Sequence, residues 1–237
     1  MIYNGHDLSD VLIVEKVYNA PIPGITITTQ SAPGRNGARF VSKSVGTRTI
    51  QLDVIVAGQT RADYMEKVRA VAKLLLIPDV AVLSGLPGDE CWYNATLSKW
   101  TMEKLMTIGK GSIEFFCADP YAYRYAVTIP LNELSATIGT IYTQGVITQV
   151  VNAEIEDSIR FTLDGTTKSV IIAGPFHVDD RLEIDLWKGF ARLNGISCMD
   201  RVSVLSDWFE ISADQCKITT VPDTLVGGHY TYLERWL

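Results

Sequence analysis

From Thr49 to Val56 the chain alternates: Ile50, Leu52, Val54 and Val56 fall on one side, Thr49, Gln51 and Asp53 on the other. A period of two sends successive side chains to opposite faces of a pleated strand, so this stretch buries its apolar side only as a β-strand lying on a core. Runs of the same kind recur. Asp10-Val11-Leu12-Ile13-Val14 is β-branched, Gly24-Ile25-Thr26-Ile27-Thr28 alternates, and Val80 to Leu83, Cys91 to Trp100 and Met106 to Ala118 read as further strands. Pro21 and Pro23 hold the first two of these apart in an extended turn. Against these strands stands one helix, predicted over Arg61 to Ile77. Tyr64, Val68, Val71 and Leu75 recur at helical spacing, Thr60 is placed to cap, Asp63 lies near the positive end of the dipole, and Pro78 ends the run. The fold class that follows is mainly β with α+β character: short turns joining consecutive strands favour an N-terminal antiparallel β domain with one helix.

That domain ends at Phe115-Phe116-Cys117-Ala118-Asp119-Pro120-Tyr121-Ala122-Tyr123. Ile113, Phe115 and Cys117 share one side of a strand, and Pro120 removes an N–H and takes Asp119 out of helical geometry, so the strand stops there. Asp119, Pro120, Tyr121 and Tyr123 are therefore read as the domain junction, closing a first domain of residues 1–127. Over residues 128–237 helix signals vanish and short strands between Gly, Asn and Asp turns take over, the pattern of a β-sandwich. Its clearest strand is Arg181 to Trp187, with Leu182, Ile184 and Leu186 opposite Glu183, Asp185 and Trp187. Lys188-Gly189, Asn194-Gly195 and Asp164-Gly165 mark turns, and Val202 to Ile211 reads as a strand pair. The aromatic segment 229–237 is predicted to add an edge strand to either domain.

A formal net charge of −6 leaves no overall basic field for nucleic acid, so no sequence-specific nucleic-acid partner is assigned. No apolar run approaches the roughly 18 residues of a membrane span, and no basic-then-apolar leader opens the sequence, so a soluble chain without a membrane partner is expected. Cys91, Cys117, Cys198 and Cys216 form no C-x-x-C pair and read as small buried residues in a reducing cytoplasm. His6, His177 and His229 are isolated, which assembles neither a metal trio nor a Ser/His/Asp triad; no catalytic residue, metal or cofactor is assigned. Gly109-Lys110-Gly111-Ser112 lacks the leading glycine and trailing helix of a phosphate loop and is read as a hairpin turn. Asp179, Asp180, Glu183 and Asp185 are read as a turn running into a solvated strand face, not as a calcium loop or a carboxylate pair.

Two candidate binding surfaces remain. Arg35, Arg39, Lys43 and Arg48 fall in a loop-like segment, Thr28 to Thr49, that holds no acidic residue and turns at Asn36-Gly37. On an acidic molecule such an arm complements an acidic neighbour, and head-to-tail contacts between identical subunits close into rings. The plain alternative is a solvated hairpin. Asp185, Trp187 and Trp208 are the second candidate, since aromatic faces stack on sugar rings beside groups that fix hydroxyls; their plain alternative is core packing.

In order along the chain come Ala32-Pro33-Gly34-Arg35-Asn36-Gly37-Ala38, the helix at Arg61 to Ile77, the Phe-Phe-Cys-Ala-Asp-Pro-Tyr strand end, Asp179 to Asp185 leading to Leu193-Asn194-Gly195, and Ser206-Asp207-Trp208-Phe209-Glu210-Ile211. Over nearly its whole length the chain thereby resembles the distal tail proteins of bacteriophages with long, non-contractile tails, or a prophage copy of one. The resemblance implies a structural, non-enzymatic hub of the virion's tail tip or baseplate, assembled in the cytoplasm of the bacterial host. It implies a homo-hexameric ring of first domains with galectin-like β-sandwiches projecting outward. It also implies a lumen that passes DNA, and partners in the major tail tube protein, a tail-associated tip or fibre protein and a receptor-binding protein. The His, Asn and Arg pattern by which galectins hold galactose is not found, so the likeness to lectins concerns fold. The alternative carried beside it is a carbohydrate-binding adhesin that meets host cell-wall sugars through Asp185, Trp187 and Trp208.

Overall fold

The computed structural model describes residues 1–237 apart from 35, 138, 140, 142 and 212–214, and apart from the side chains of Lys104, Leu105 and Gln215. Two compact units divide the chain, Met1–Tyr123 and Arg124–Trp236, with Leu237 grouped with the first.

In the first unit β1 (Ile2–Tyr3), β2 (His6–Asp7), β3 (Ile13–Asn19), β4 (Ile25–Gln30), β5 (Arg39–Val45) and β6 (Arg48–Ala57) precede the helix α1 (Arg61–Leu75), and β7 (Ala81–Ser84), β8 (Tyr93–Leu105) and β9 (Ile108–Cys117) follow it. Seven of these strands form one sheet in the order β2-β1-β7-β8-β9-β6-β3, with every assigned pairing antiparallel. The alternation of β6 sets its register: Ile50, Leu52, Val54 and Val56 are buried, and Ile50 and Leu52 lie directly opposite the buried Phe115 and Ile113 of β9. Helix α1 starts where expected, with Thr60 Oγ1 accepting from the Asp63 backbone N–H at 3.2 Å, and it buries Tyr64, Val71 and Leu75.

Two local expectations fail here. Asp10-Val11-Leu12 is not strand; the Leu12 N–H donates to the Leu8 carbonyl at 2.9 Å in a turn, and β3 begins at Ile13. Gly109-Lys110-Gly111-Ser112 is not a turn but lies inside β9, while the turn falls at residues 106–107, where Met106 takes a positive φ of 45°. Glycine is needed at 109 for space: a Cβ there would stand 2.2 Å from the Tyr64 hydroxyl, which reaches down from α1.

The second unit is built from β10 (Ala122–Pro130), β11 (Ser135–Ala136), β12 (Gly145–Val150), β13 (Ser158–Leu163), β14 (Ser169–Ala173), β15 (Arg181–Asp185), β16 (Phe190–Leu193), β17 (Ile196–Ser197), β18 (Gln215–Cys216), β19 (Ile218–Val221) and β20 (His229–Trp236). A six-stranded sheet, β10-β20-β12-β15-β16-β17, and a three-stranded sheet, β14-β13-β19, share one core. Ile147, Leu182, Ile184, Tyr230 and Tyr232 come from the first sheet and Ile159, Phe161, Val170, Ile172 and Ile218 from the second. This is a β-sandwich: alternate residues of each sheet turn inward and are sealed by the other sheet. The C-terminal segment is not an edge strand as expected. β20 is interior, flanked by β10 and β12, and buries Tyr230 and Tyr232 on its inward face. Residues 202–211 are not a strand pair either; they hold isolated bridges, Val202 to Ile172 and Ile211 to Thr143, and otherwise irregular backbone.

Candidate functional site

The segment expected to be loop-like is largely strand. β4 and β5 form their own two-stranded antiparallel hairpin, outside the seven-stranded sheet, and every residue of β4 is exposed. Paired residues share a face of such a ribbon. Ile25 faces Val45, Ile27 faces Lys43 and Thr29 faces Phe40, with Val41 the extra residue of a bulge; Thr26–Ser44, Thr28–Ser42 and Gln30–Arg39 make up the other face. One face thus gathers the apolar residues Ile25, Ile27, Phe40 and Val45 around Lys43 and Thr29 while the other is wholly polar, yet the apolar residues meet solvent: Ile27 and Phe40 are each 60% exposed, and Ile25 and Val41 are exposed too. The basic residues thought to carry the arm, Arg39 and Lys43, stand exposed on opposite faces, and Arg35 lies outside the described residues. The sequence signal for the apolar face was present in Ile25 and Ile27; Phe40 and Val41 were hidden because the bulge breaks the period of two.

Arg48 corrects the expectation that placed it on the arm. It is the first residue of β6, only 2% exposed, and directly opposite Cys117. Its guanidinium donates from Nη1 to the Ala20 carbonyl at 2.8 Å and to Asn19 Oδ1, and from Nε to the Pro120 carbonyl at 2.7 Å, and it lies 5.7 Å from the centre of the Tyr93 ring. Asn19 in turn donates to the Tyr93 hydroxyl at 2.8 Å, which donates to Asp89 Oδ2 at 2.6 Å. Burial, reinforced by the Asp89 carboxylate that accepts its proton, pushes the Tyr93 hydroxyl well above the ordinary tyrosine range. An arginine takes this place because only its planar fork offers several donors in fixed directions at once.

The Asp-Pro corner completes the network. Asp119 Oδ2 accepts from the Tyr123 hydroxyl at 2.6 Å and Oδ1 accepts from the Tyr121 N–H at 3.3 Å, while Tyr123 stacks on Trp92 with ring centres 4.6 Å apart. Tyr123 is buried and Tyr121 half-buried. Asp119 therefore has a local structural task, closing the turn on a tyrosine, and Pro120 supplies a carbonyl that Arg48 holds.

The candidate sugar contacts each have local partners. The expected strand stops at Asp185, the last residue of β15, and Trp187 falls in the turn that follows, 54% exposed with the Arg235 guanidinium 5.4 Å from its ring centre. Asp185 is engaged by Lys188, accepting from its backbone N–H at 3.0 Å with the ammonium at 3.6 Å. Trp208 is partly buried against the core, and a Cβ on Gly189 would lie 3.5 Å from its indole. The acidic cluster is a turn: Asp179 has a φ of 70°, and Asp180 accepts from the His177 N–H and from Asn194 Nδ2. Among the described residues no group of three His, Cys, Asp or Glu side chains stands close enough to hold a metal ion.

Comparison with known proteins bears on both units. Residues 6–117 match the family model described as the phage tail protein RIFT-related domain, and residues 138–236 match the siphovirus-type tail component, C-terminal domain. Among curated proteins the chain is 25% identical over 235 residues to the distal tail protein of Bacillus phage SPP1, covering 95% of this chain and 93% of that one. The crystal structure of the SPP1 protein, described as a paradigm of the hub adsorption apparatus in phages infecting Gram-positive bacteria, superposes with a TM-score of 0.87 at 20% identity, covering 100% and 98% of the two chains. A chain of the phage P2 baseplate in its activated conformation with Ca has a TM-score of 0.52 at 9% identity, covering 97% and 92%.

Proposed function

This chain belongs to the distal tail protein family of bacteriophages, a structural hub of the tail tip, and from that premise we propose that it works by closing into a hexameric ring through its projecting arm. The observation that supports this reading most directly is the β4–β5 hairpin with its apolar face uncovered. An isolated two-stranded ribbon is marginal in water, and an uncovered apolar face adds to that cost, so the ribbon gains most of its stability when a second surface covers it. A neighbouring copy is the occupant that fits a ring, since a head-to-tail contact repeats around a closed circle.

In this reading the positive charge of Arg35, Arg39 and Lys43 steers the arm and fixes its register on an acidic subunit, with Lys43 set among the apolar residues Ile25, Ile27 and Phe40 that supply the affinity. The first unit, Met1–Tyr123 rather than the expected 1–127, is the ring-forming domain, with Asp119, Pro120, Tyr121 and Tyr123 its closing corner, and Arg124–Trp236 is the sandwich. The lumen of the ring continues the tail channel for DNA. The major tail tube protein lies on one side of the ring and a tail-associated tip or fibre protein on the other, with receptor-binding proteins as further partners, and the parts assemble in the host cytoplasm. Chemistry in such a hub is association, and no catalytic step is assigned to it. Electron micrographs of the purified protein, alone and mixed with its tail tube partner, are expected to show six-fold rings, and charge reversal at Arg35 and Arg39 is expected to weaken them without unfolding either unit. A persistent monomer in both samples overturns the proposal.

A further inference from the structure

The arm is joined to the first unit through a narrow neck, residues 20–24 on one side and 45–48 on the other. Two glycines meet in it: the Gly46 N–H donates to the Gly24 carbonyl at 2.6 Å, and a Cβ on Gly46 would stand 2.9 Å from that same oxygen. Pro21 and Pro23 stiffen the entering side, so the freedom to bend lies at the glycines themselves, which populate backbone states that other residues do not. The ribbon itself is not paired to the seven-stranded sheet, so no ladder of backbone hydrogen bonds holds its direction. The buried guanidinium of Arg48 sits at this neck. It binds the entering segment at Ala20 and, through Asn19, the end of β3; it is itself the first residue of β6, two residues beyond Gly46; and it ties both to Pro120 at the corner where β9 has ended.

We infer that Arg48 is a positioning residue for subunit assembly: it touches no neighbour, and fixes the direction in which the arm leaves the first unit by clamping both roots of the arm to the Asp119–Pro120 corner. The consequence for assembly rests on the proposed arm-mediated ring; the clamp itself does not. A bendable arm spends only part of its time in the docking direction, and an interface whose competent state is populated a tenth of the time has an apparent dissociation constant about tenfold higher. Lysine at this position keeps the charge and most of the stem but loses the fork that reaches three carbonyl or amide oxygens.

The test uses the full chain with Cys91, the partly exposed thiol, replaced by Ser, and spin labels on cysteines introduced at Ser42 on the arm and Lys73 on α1. Electron-electron resonance is expected to give one narrow distance distribution for the parent and a broad one for Arg48→Lys, and the subunit concentration for half-assembly is expected to rise about tenfold. Should Arg48→Lys fail to fold, Asn19→Ala decides, since it removes one oxygen acceptor and the link to Tyr93 while leaving the guanidinium in place. Narrow, unshifted distances in a folded variant overturn the inference. Broad distances with unchanged assembly uphold the clamp and instead remove the arm from the ring contact.

Discussion

Replacing Phe40 by serine separates an arm held by its apolar face from one held by its charges. Phe40 is 60% exposed, and an aromatic side chain offers roughly 200 Å² in all, so about 120 Å² remains for a neighbour to cover. At about 25 cal/mol per Å² that is about 3 kcal/mol per interface, or roughly a hundredfold in its dissociation constant. The monomer loses little, because a change on an exposed ribbon away from caps and core stays within about 0.5 kcal/mol. Mass photometry over a subunit dilution series reads the assembly midpoint directly, and thermal unfolding below that midpoint checks that both units are intact. If Arg39 and Lys43 carried the contact instead, each exposed pair would be worth at most about 1 kcal/mol; Phe40→Ser would then leave the midpoint unmoved while added salt dissolved the rings. Rings of Phe40→Ser forming at the parent concentration would refute the argument.

Other consequences concern the packed parts of the molecule. Gly109→Ala places a Cβ 2.2 Å from the Tyr64 hydroxyl and 2.8 Å from Met102 Sδ; about 1–3 kcal/mol of stability should be lost in denaturant titration, with part returned by adding Tyr64→Phe. Burial pushes the Cys117 and Cys216 thiols up to about 11 from an ordinary 9, so the neutral form is favoured in the fold. Their contribution is complete below pH 9 and lost as pH climbs through about 11. The melting temperature should accordingly fall over that window, and Cys216→Ala should fall less steeply; an identical slope for the variant would contradict this.

Local periodicity made much of the fold legible. The alternation of β6 and of β15, and the stripe and cap of α1, each reflect one face meeting one core, which is information a short window contains. Features set by distant partners were not legible. Arg48 looked like one more cation in a basic segment, and its burial depends on Asn19, Ala20 and Pro120, which the chain brings together only after the sheet forms. Gly109 and Gly111 looked like turn residues; they are needed for a helix tyrosine above one and the Thr101 carbonyl 1.9 Å from a Cβ on the other. The binding surface was read by charge. Ile25 and Ile27 mark its apolar residues in the sequence, but Phe40 joins them only through the cross-strand register, because a bulge at Val41 shifts it out of the simple alternation.

The interior place of β20 carries a consequence for how the molecule is made. A ribosome delivers β10 and β12 long before the strand that fits between them, so through most of synthesis the second unit has a slot in its main sheet, lined by two unpaired strand edges. The unit closes only when His229–Trp236 emerges and is inserted. A chain lacking His229–Trp236 would leave those two edges unpaired, a template on which a strand of another chain can add.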